Sequence, residues 1–212
     1  MKRRKLLCVV ALCIVCLMLL SACSGGKIRQ VACVGDSITA EGYPDALAEL
    51  LGEKYIVTNF GRSGSRVRGG TAFSYTGMDE YQESLALQAD IYIIMLGSND
   101  SFESAEWDEE KFRADYEAFL DSYIEGCPDA KIYTMICPAI DTEASTIAAK
   151  MRDDILYDYI CPIIAEISEE KGIEAIDLLS LTLEHPEWSD DGIHPNEEGK
   201  KGIAEYIYSV IR

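Results

Sequence analysis

Apolar residues along the chain fall into two alternating kinds of run. Short, nearly unbroken apolar stretches at 28–34, 55–59, 91–96, 131–136 and 173–177 have the length of strands. The run IYIIML at 91–96 carries no charge, as expected for a strand covered on both faces. Between these runs, apolar residues recur at helical spacing. Residues 43–51 read as a helix with Pro44 near its start and Leu47, Leu50 and Leu51 on one face. Residues 79–88 read as a second helix. In 108–125 the residues Phe112, Tyr116, Phe119, Leu120 and Tyr123 form one stripe. Residues 144–171 read as a helix interrupted at Pro162 and ended by Gly172, and 197–211 as the last helix. This alternation predicts an α/β fold: a flavodoxin-like three-layer α/β/α sandwich around a five-stranded parallel sheet. In such sheets ligands sit beyond the carboxyl ends of the strands. The residues that follow each strand are therefore the ones that bear on function.

Ser37 follows the first strand, in VACVGDSITAEGYP at 31–44. NFGRSG at 59–64 follows the second, and GSND at 97–100 the third. DGIHPN at 191–196 lies between the fifth strand and the last helix. Acyl transfer needs a hydroxyl nucleophile, a base, a group that orients the base, and donors for the oxyanion. The chain has two histidines. His185, in LEHP, is expected at a helix end. His194 stands three residues after Asp191, a spacing that lets the carboxylate reach back to Nδ1–H in a tight turn permitted by Gly192. Nε2 is then free for Ser37. Taken alone, Ser37 is equally a helix N-cap at a strand-to-helix turn, and Asp190 rivals Asp191 as the orienting acid.

GDSI at 35–38, the Ser63-Gly64 pair, GSND and DGIHPN resemble, in order, the four sequence blocks of the SGNH, or GDSL, esterase family. The resemblance covers essentially residues 23–212. It implies the SGNH hydrolase fold, Ser37 as nucleophile, His194 as general base and then acid, and Asp191 as its orienting partner. It also implies an oxyanion hole made by the N–H groups of Ser37 and Gly64 and the side-chain amide of Asn99, with no metal and no organic cofactor. Asp36 is expected to support the turn. The first block, and IMLGSNDS followed by Trp107, look like the carbohydrate acetylesterases and sialate-O-acetylesterase-like members. A small acylated sugar is then the expected partner. A lysophospholipase or thioesterase of the same family is the nearest alternative, and a non-catalytic binding lipoprotein a more distant one. One departure is GRSGSRVRGG, which sets Arg62, Arg66 and Arg68 around Gly64. They either pair with an acidic surface or form a rim that reads a substrate carboxylate. Trp188, six residues before His194, is either packing, a wall of the acyl pocket or a sugar platform. Tyr75 and Phe73 are expected to line the cleft.

The ends and the charge place the chain. Residues 1–5 are basic, 6–20 are apolar, and Leu20-Ser21-Ala22-Cys23 resembles a bacterial lipobox. The expectation is a signal peptide over 1–22, a lipidated Cys23 with a short tether over 23–27, and one domain over 28–212. That makes an extracytoplasmic protein held at a bacterial membrane by its lipid. Residues 23–212 keep 15 of the 19 basic residues and all 37 acidic ones, a net charge of −22. Such a chain is repelled by nucleic acid. Cys8, Cys13 and Cys16 fall in the expected signal, and among the cysteines after it no CxxC pair occurs, so zinc and thioredoxin-type chemistry lack a signal. Cys33 is expected in the core, and pairing among Cys33, Cys127, Cys137 and Cys161 is left open.

Overall fold

The computed structural model describes residues 27–212, so Cys23 and the segment before it lie outside the described residues. Five strands form one parallel sheet: β1 (Arg29–Gly35), β2 (Tyr55–Gly61), β3 (Ile91–Met95), β4 (Lys131–Ile136) and β5 (Glu174–Asp177). Their order is β2-β1-β3-β4-β5, the flavodoxin-like winding, with the chain reversing direction across the sheet between β1 and β3. The helices are α1 (Ser37–Ala40), α2 (Tyr43–Leu51), α3 (Asp79–Leu87), α4 (Glu109–Gly126), α5 (Asp153–Ile155), α6 (Cys161–Glu170), α7 (Leu178–Leu183) and α8 (Glu197–Ile211).

Alternation along the buried strands splits the core in two. Val31, Cys33, Ile91, Ile93, Met95, Tyr133 and Met135 face one side and pack with α2 and α8. Ala32, Val34, Tyr92 and Ile94 face the other and pack with the aromatic stripe of α4 and with α6. The stripe is Phe112, Tyr116, Phe119, Leu120 and Tyr123, all buried. Asp108 caps α4 by accepting from Lys111 N–H. Cys33, Cys127, Cys137 and Cys161 are all free and buried.

Three expectations need correction. The helix read over 144–171 begins only at Asp153. Before Pro162 the backbone widens into a π turn (Leu156–Ile160), and Cys161 N–H reaches the Leu156 carbonyl. A proline lacks the N–H for a regular helical bond, so the wider turn carries the chain into α6 without a break. Leu50 points to solvent at 39% exposure, while Leu47 is buried in the α2 face. Residues 178–183, read as neither helix nor strand, form α7, capped by Asp177 through the Ser180 N–H.

β1 leaves the sheet through a crowded turn. A Cβ on Gly35 would lie 2.3 Å from both the Met95 carbonyl and Thr39 Oγ1. Only glycine fits there without a shift, so the chain turns directly from β1 into α1.

Candidate active site

Asp36 caps α1: its Oδ1 accepts from Ile38 N–H at 3.0 Å. The capping duty therefore falls on Asp36 and not on Ser37, whose hydroxyl is left for another partner. That partner is His194, with Nε2 2.9 Å from Ser37 Oγ. The opposite ring nitrogen, Nδ1, is 2.7 Å from Asp191 Oδ2. Asp191 Oδ1 also accepts the N–H groups of Ile193 and His194, at 2.9 and 2.7 Å. Burial pushes the Asp191 carboxyl up, but these bonds from His194 and Ile193 outweigh it and hold the group at about 2. An ionised Asp191 fixes the proton on Nδ1 and leaves Nε2 to accept from Ser37. Asp190, the rival, instead accepts from the Asn196 amide at 3.1 Å.

The 191–194 turn is held from behind. Gly192 has φ +81°, and a Cβ there would lie 2.2 Å from the Asp141 carbonyl. Asp141 N–H donates to the Gly192 carbonyl at 2.9 Å, and Ser145 Oγ to the Asp191 carbonyl at 2.7 Å. The irregular segment after β4, part of which (from residue 144) falls in the predicted helix, thus braces the histidine loop.

The Asn99 amide joins Asp36, next to Ser37 in the chain, to the loop after β2 that carries Gly64 (φ +80°). Among the described residues, neither the Ser37 nor the Gly64 N–H donates to another group. The Asn99 amide donates to the Ser65 carbonyl at 3.1 Å and to Asp36 Oδ2 at 3.3 Å. Asp100, fully buried, accepts the N–H groups of Val67 at 2.9 Å and Arg68 at 3.1 Å. Burial pushes its carboxyl up to about 6 against the pull of those bonds. Asn59 ties the end of β2 to α1, donating to the Thr39 and Ala40 carbonyls at 3.0 and 3.1 Å. Sequence reading gave Asp100 and Asn59 no separate part. The only signal was their place inside two of the quoted stretches, NFGRSG and GSND.

Tyr75 is corrected: it is fully buried and its hydroxyl donates to the Phe60 carbonyl at 2.6 Å, so it does not line a cleft. Phe73 is exposed and carries the Arg66 guanidinium over its ring at 5.1 Å. Arg66 also donates to Ser104 Oγ, and Arg68 to the Glu106 carbonyl. Of the three arginines, Arg62 alone makes an ion pair among the described residues, with Glu80. Trp107 packs on Phe112 and Tyr159. Trp188 is half-buried and stacks on His185, with centroids 4.1 Å apart. His185 Nδ1 pairs with Glu187 at 3.0 Å, so it takes no part with Ser37. No cluster of His, Cys, Asp and Glu among the described residues could hold a metal ion.

A three-layer sandwich with a serine, a histidine and an acid in hydrogen-bonded line at the carboxyl edge of its sheet has the layout of a serine hydrolase. Residues 33–201 match the GDSL-like lipase/acylhydrolase family, and the chain belongs to that family. By family it is a carboxylic ester hydrolase. It is similar to an acetylxylan esterase of Xylanibacter ruminicola, with 32% identity over 209 residues that cover 86% of this chain and 43% of that protein. The chain thus spans less than half the length of that curated relative. Among solved structures it resembles an acetyl xylan esterase, AlAXEase, with a TM-score of 0.70 at 21% identity over 86% of this chain and 100% of that one. It also resembles the lipase/acylhydrolase from Enterococcus faecalis, with a TM-score of 0.69 at 20% identity over 86% and 95% of the two chains. These structural likenesses establish the SGNH hydrolase α/β fold.

Asp36 makes the site sensitive to pH. Its carboxyl ionises near ~3.9 in an unfolded chain and, with burial as the main cause, at about 7 in the folded one. Between those values the folded state holds the extra proton. Stability therefore falls as pH rises, by up to about 1.4 kcal/mol per pH unit. Asp36→Asn removes this slope. Chemical denaturation at pH 5 and pH 8 is expected to show a smaller loss of stability between the two in the variant than in the wild type. An equal loss in both would contradict it.

Proposed function

We propose that this protein is an extracytoplasmic serine esterase that removes a small acyl group, acetyl, from a carbohydrate hydroxyl through an acyl-enzyme on Ser37. The observation that carries this reading is the line from Ser37 Oγ to His194 Nε2, at 2.9 Å, and from Nδ1 to Asp191, at 2.7 Å. Ser37 Oγ attacks the ester carbonyl as its proton passes to Nε2. The tetrahedral oxyanion takes hydrogen bonds from the Ser37 and Gly64 N–H groups and from the Asn99 amide. The 3.3 Å bond from Asn99 to Asp36 is the longer of its two, and that hydrogen is the one released to the oxyanion. Each such donor lowers the barrier by about 3–4 kcal/mol. Burial raises the Asp36 carboxyl, which reduces the negative charge facing the oxyanion. As the intermediate collapses, the sugar oxygen leaves with the proton from His194, and the acyl group stays on Ser37. Water then attacks this ester, gives its proton to His194, and releases the acid and the free serine. Asp191 remains ionised throughout and stabilises the imidazolium.

The choice of a sugar acetate is supported by the similarity to the acetylxylan esterase and by the sequence blocks of the carbohydrate acetylesterases. The location is supported by the basic start, the apolar run and the Leu-Ser-Ala-Cys sequence at 20–23. No helix of the described residues is long and apolar enough to cross a membrane. In this reading the lipid on Cys23 is the membrane link.

Two outcomes test these steps. Ser37→Ala is expected to lower kcat on p-nitrophenyl acetate by at least about 10³-fold. The wild type is expected to prefer acetate to octanoate. A preference for octanoate would favour a lipid-ester substrate, and unchanged activity in the variant would exclude Ser37. Cys23→Ala is expected to move the protein from the membrane to the soluble fraction and to abolish labelling by radioactive palmitate. Persistent labelling would overturn the anchor.

A further inference from the structure

A cavity of about 370 Å³ lies beside the histidine loop, at the carboxyl ends of β4 and β5. Its size falls in the range of small-ligand sites. Gly192, Ile193 and Pro195 form one wall, so the loop that carries His194 separates this cavity from Ser37. Neither Ser37, Gly64 nor Asn99 lines it. A group seated here is therefore a neighbour of the reacting ester and not the acyl group itself.

The other walls have a definite chemistry. His185 and Trp188 both line the cavity, and their rings stack at 4.1 Å with an angle of 4° between planes. Helix α8 fixes the indole from behind: a Cβ on Gly202 would lie 2.1 Å from the ring. The stack covers one face of each ring and is held by the fold, so an outer ring face of the stack is what a ligand meets. Asp141, Glu143 and Asp153 line the same cavity, with the hydroxyls of Thr142 and Ser189. No lysine or arginine does. Carboxylates accept hydrogen bonds from sugar hydroxyls, and an aromatic face takes the C–H face of a pyranose ring. Three carboxylates with no cation among them repel a carboxylate on the ligand.

We propose that this cavity is a glycan subsite that holds an uncharged, hydroxyl-rich sugar residue adjacent to the one being deacylated. The proposal rests on the reading of the chain as a sugar-ester hydrolase. It assigns the preference for neutral over acidic glycans to Asp141, Glu143 and Asp153. It also gives Trp188 and His185, which take no part in the Ser37–His194–Asp191 line, a place in substrate selection.

The test compares wild type, His185→Ala and Glu143→Lys on p-nitrophenyl acetate and on acetylated xylo-oligosaccharides. Both substituted side chains are solvent-accessible, and neither belongs to the Ser37–His194–Asp191 line. The kcat/KM for p-nitrophenyl acetate is expected to stay unchanged in both variants, which also reports that they fold. For the oligosaccharide, KM is expected to rise about three- to tenfold with little change in kcat. Calorimetry on Ser37→Ala with unacetylated xylo-oligosaccharide is expected to show binding that His185→Ala weakens by a similar factor. An unchanged KM in both variants would overturn the subsite, as would tighter binding of an oligouronate than of the neutral oligosaccharide. A wild type that cleaves p-nitrophenyl acetate but not the acetylated oligosaccharide would remove the subsite and leave the ester chemistry standing. Inactivity on both would remove the parent reading instead.

Discussion

Two buried carboxylates hold the ends of three strands in one place. Asp36, after β1, accepts from Ile38 N–H and from the amide of Asn99, after β3. Asp100, after β3, accepts from the backbone of Val67 and Arg68, after β2. Gly64, Asn99 and Ser37 are thereby set relative to one another by bonds that do not depend on a bound substrate. Such groups are costly: a buried carboxyl loses its hydration, and both are raised, Asp36 to about 7 and Asp100 to about 6. Apolar residues in their place would not carry this cost, but would leave the backbone donors of the two loops unpaired. The fold therefore gives up stability at the point where it fixes its geometry.

The acid of the Ser37–His194–Asp191 line is treated differently. Asp191 keeps about two-fifths of its side chain exposed, and its bonds to Ile193 and His194 hold it well below the usual carboxylate range. It is ionised across the whole working range. Its loop comes from the far side of the sheet and is braced by Asp141 and Ser145 of the segment after β4. Two halves of the site thus rest on separate supports, the β1–β3 ends for Ser37, Gly64 and Asn99, and the β4–β5 ends for His194.

Much of this was legible in the sequence, and the reasons are local. β4 and α8 match their expected bounds because an apolar run with clear breaks marks them. Ser37 and the Asp191–His194 pair stood out by their place at strand ends and their spacing, and Gly64 and Asn99 through the resemblance to the family's sequence blocks. What stayed hidden depends on tertiary contacts. Tyr75 follows a loop with no periodicity, so nothing local shows that it turns into the core. For Arg66 and Arg68 the sequence leaves open an ion pair with the acidic surface or a carboxylate-reading rim; among the described residues they make no ion pair and donate to nearby oxygens of Ser104 and Glu106. Pro162 reads as an interruption, yet a π turn carries the helix through it. The bracing by Asp141 and Ser145 leaves no mark in spacing at all.

The central claim is that an acyl group passes through Ser37 under control of His194. The most direct measurement is peptide mass mapping after rapid acid quench during turnover of p-nitrophenyl acetate. The account predicts the mass of one acetyl group on the peptide that contains Ser37, and none on that peptide in His194→Ala. Steady hydrolysis with no acyl group on Ser37, or with the label on another residue, would contradict it.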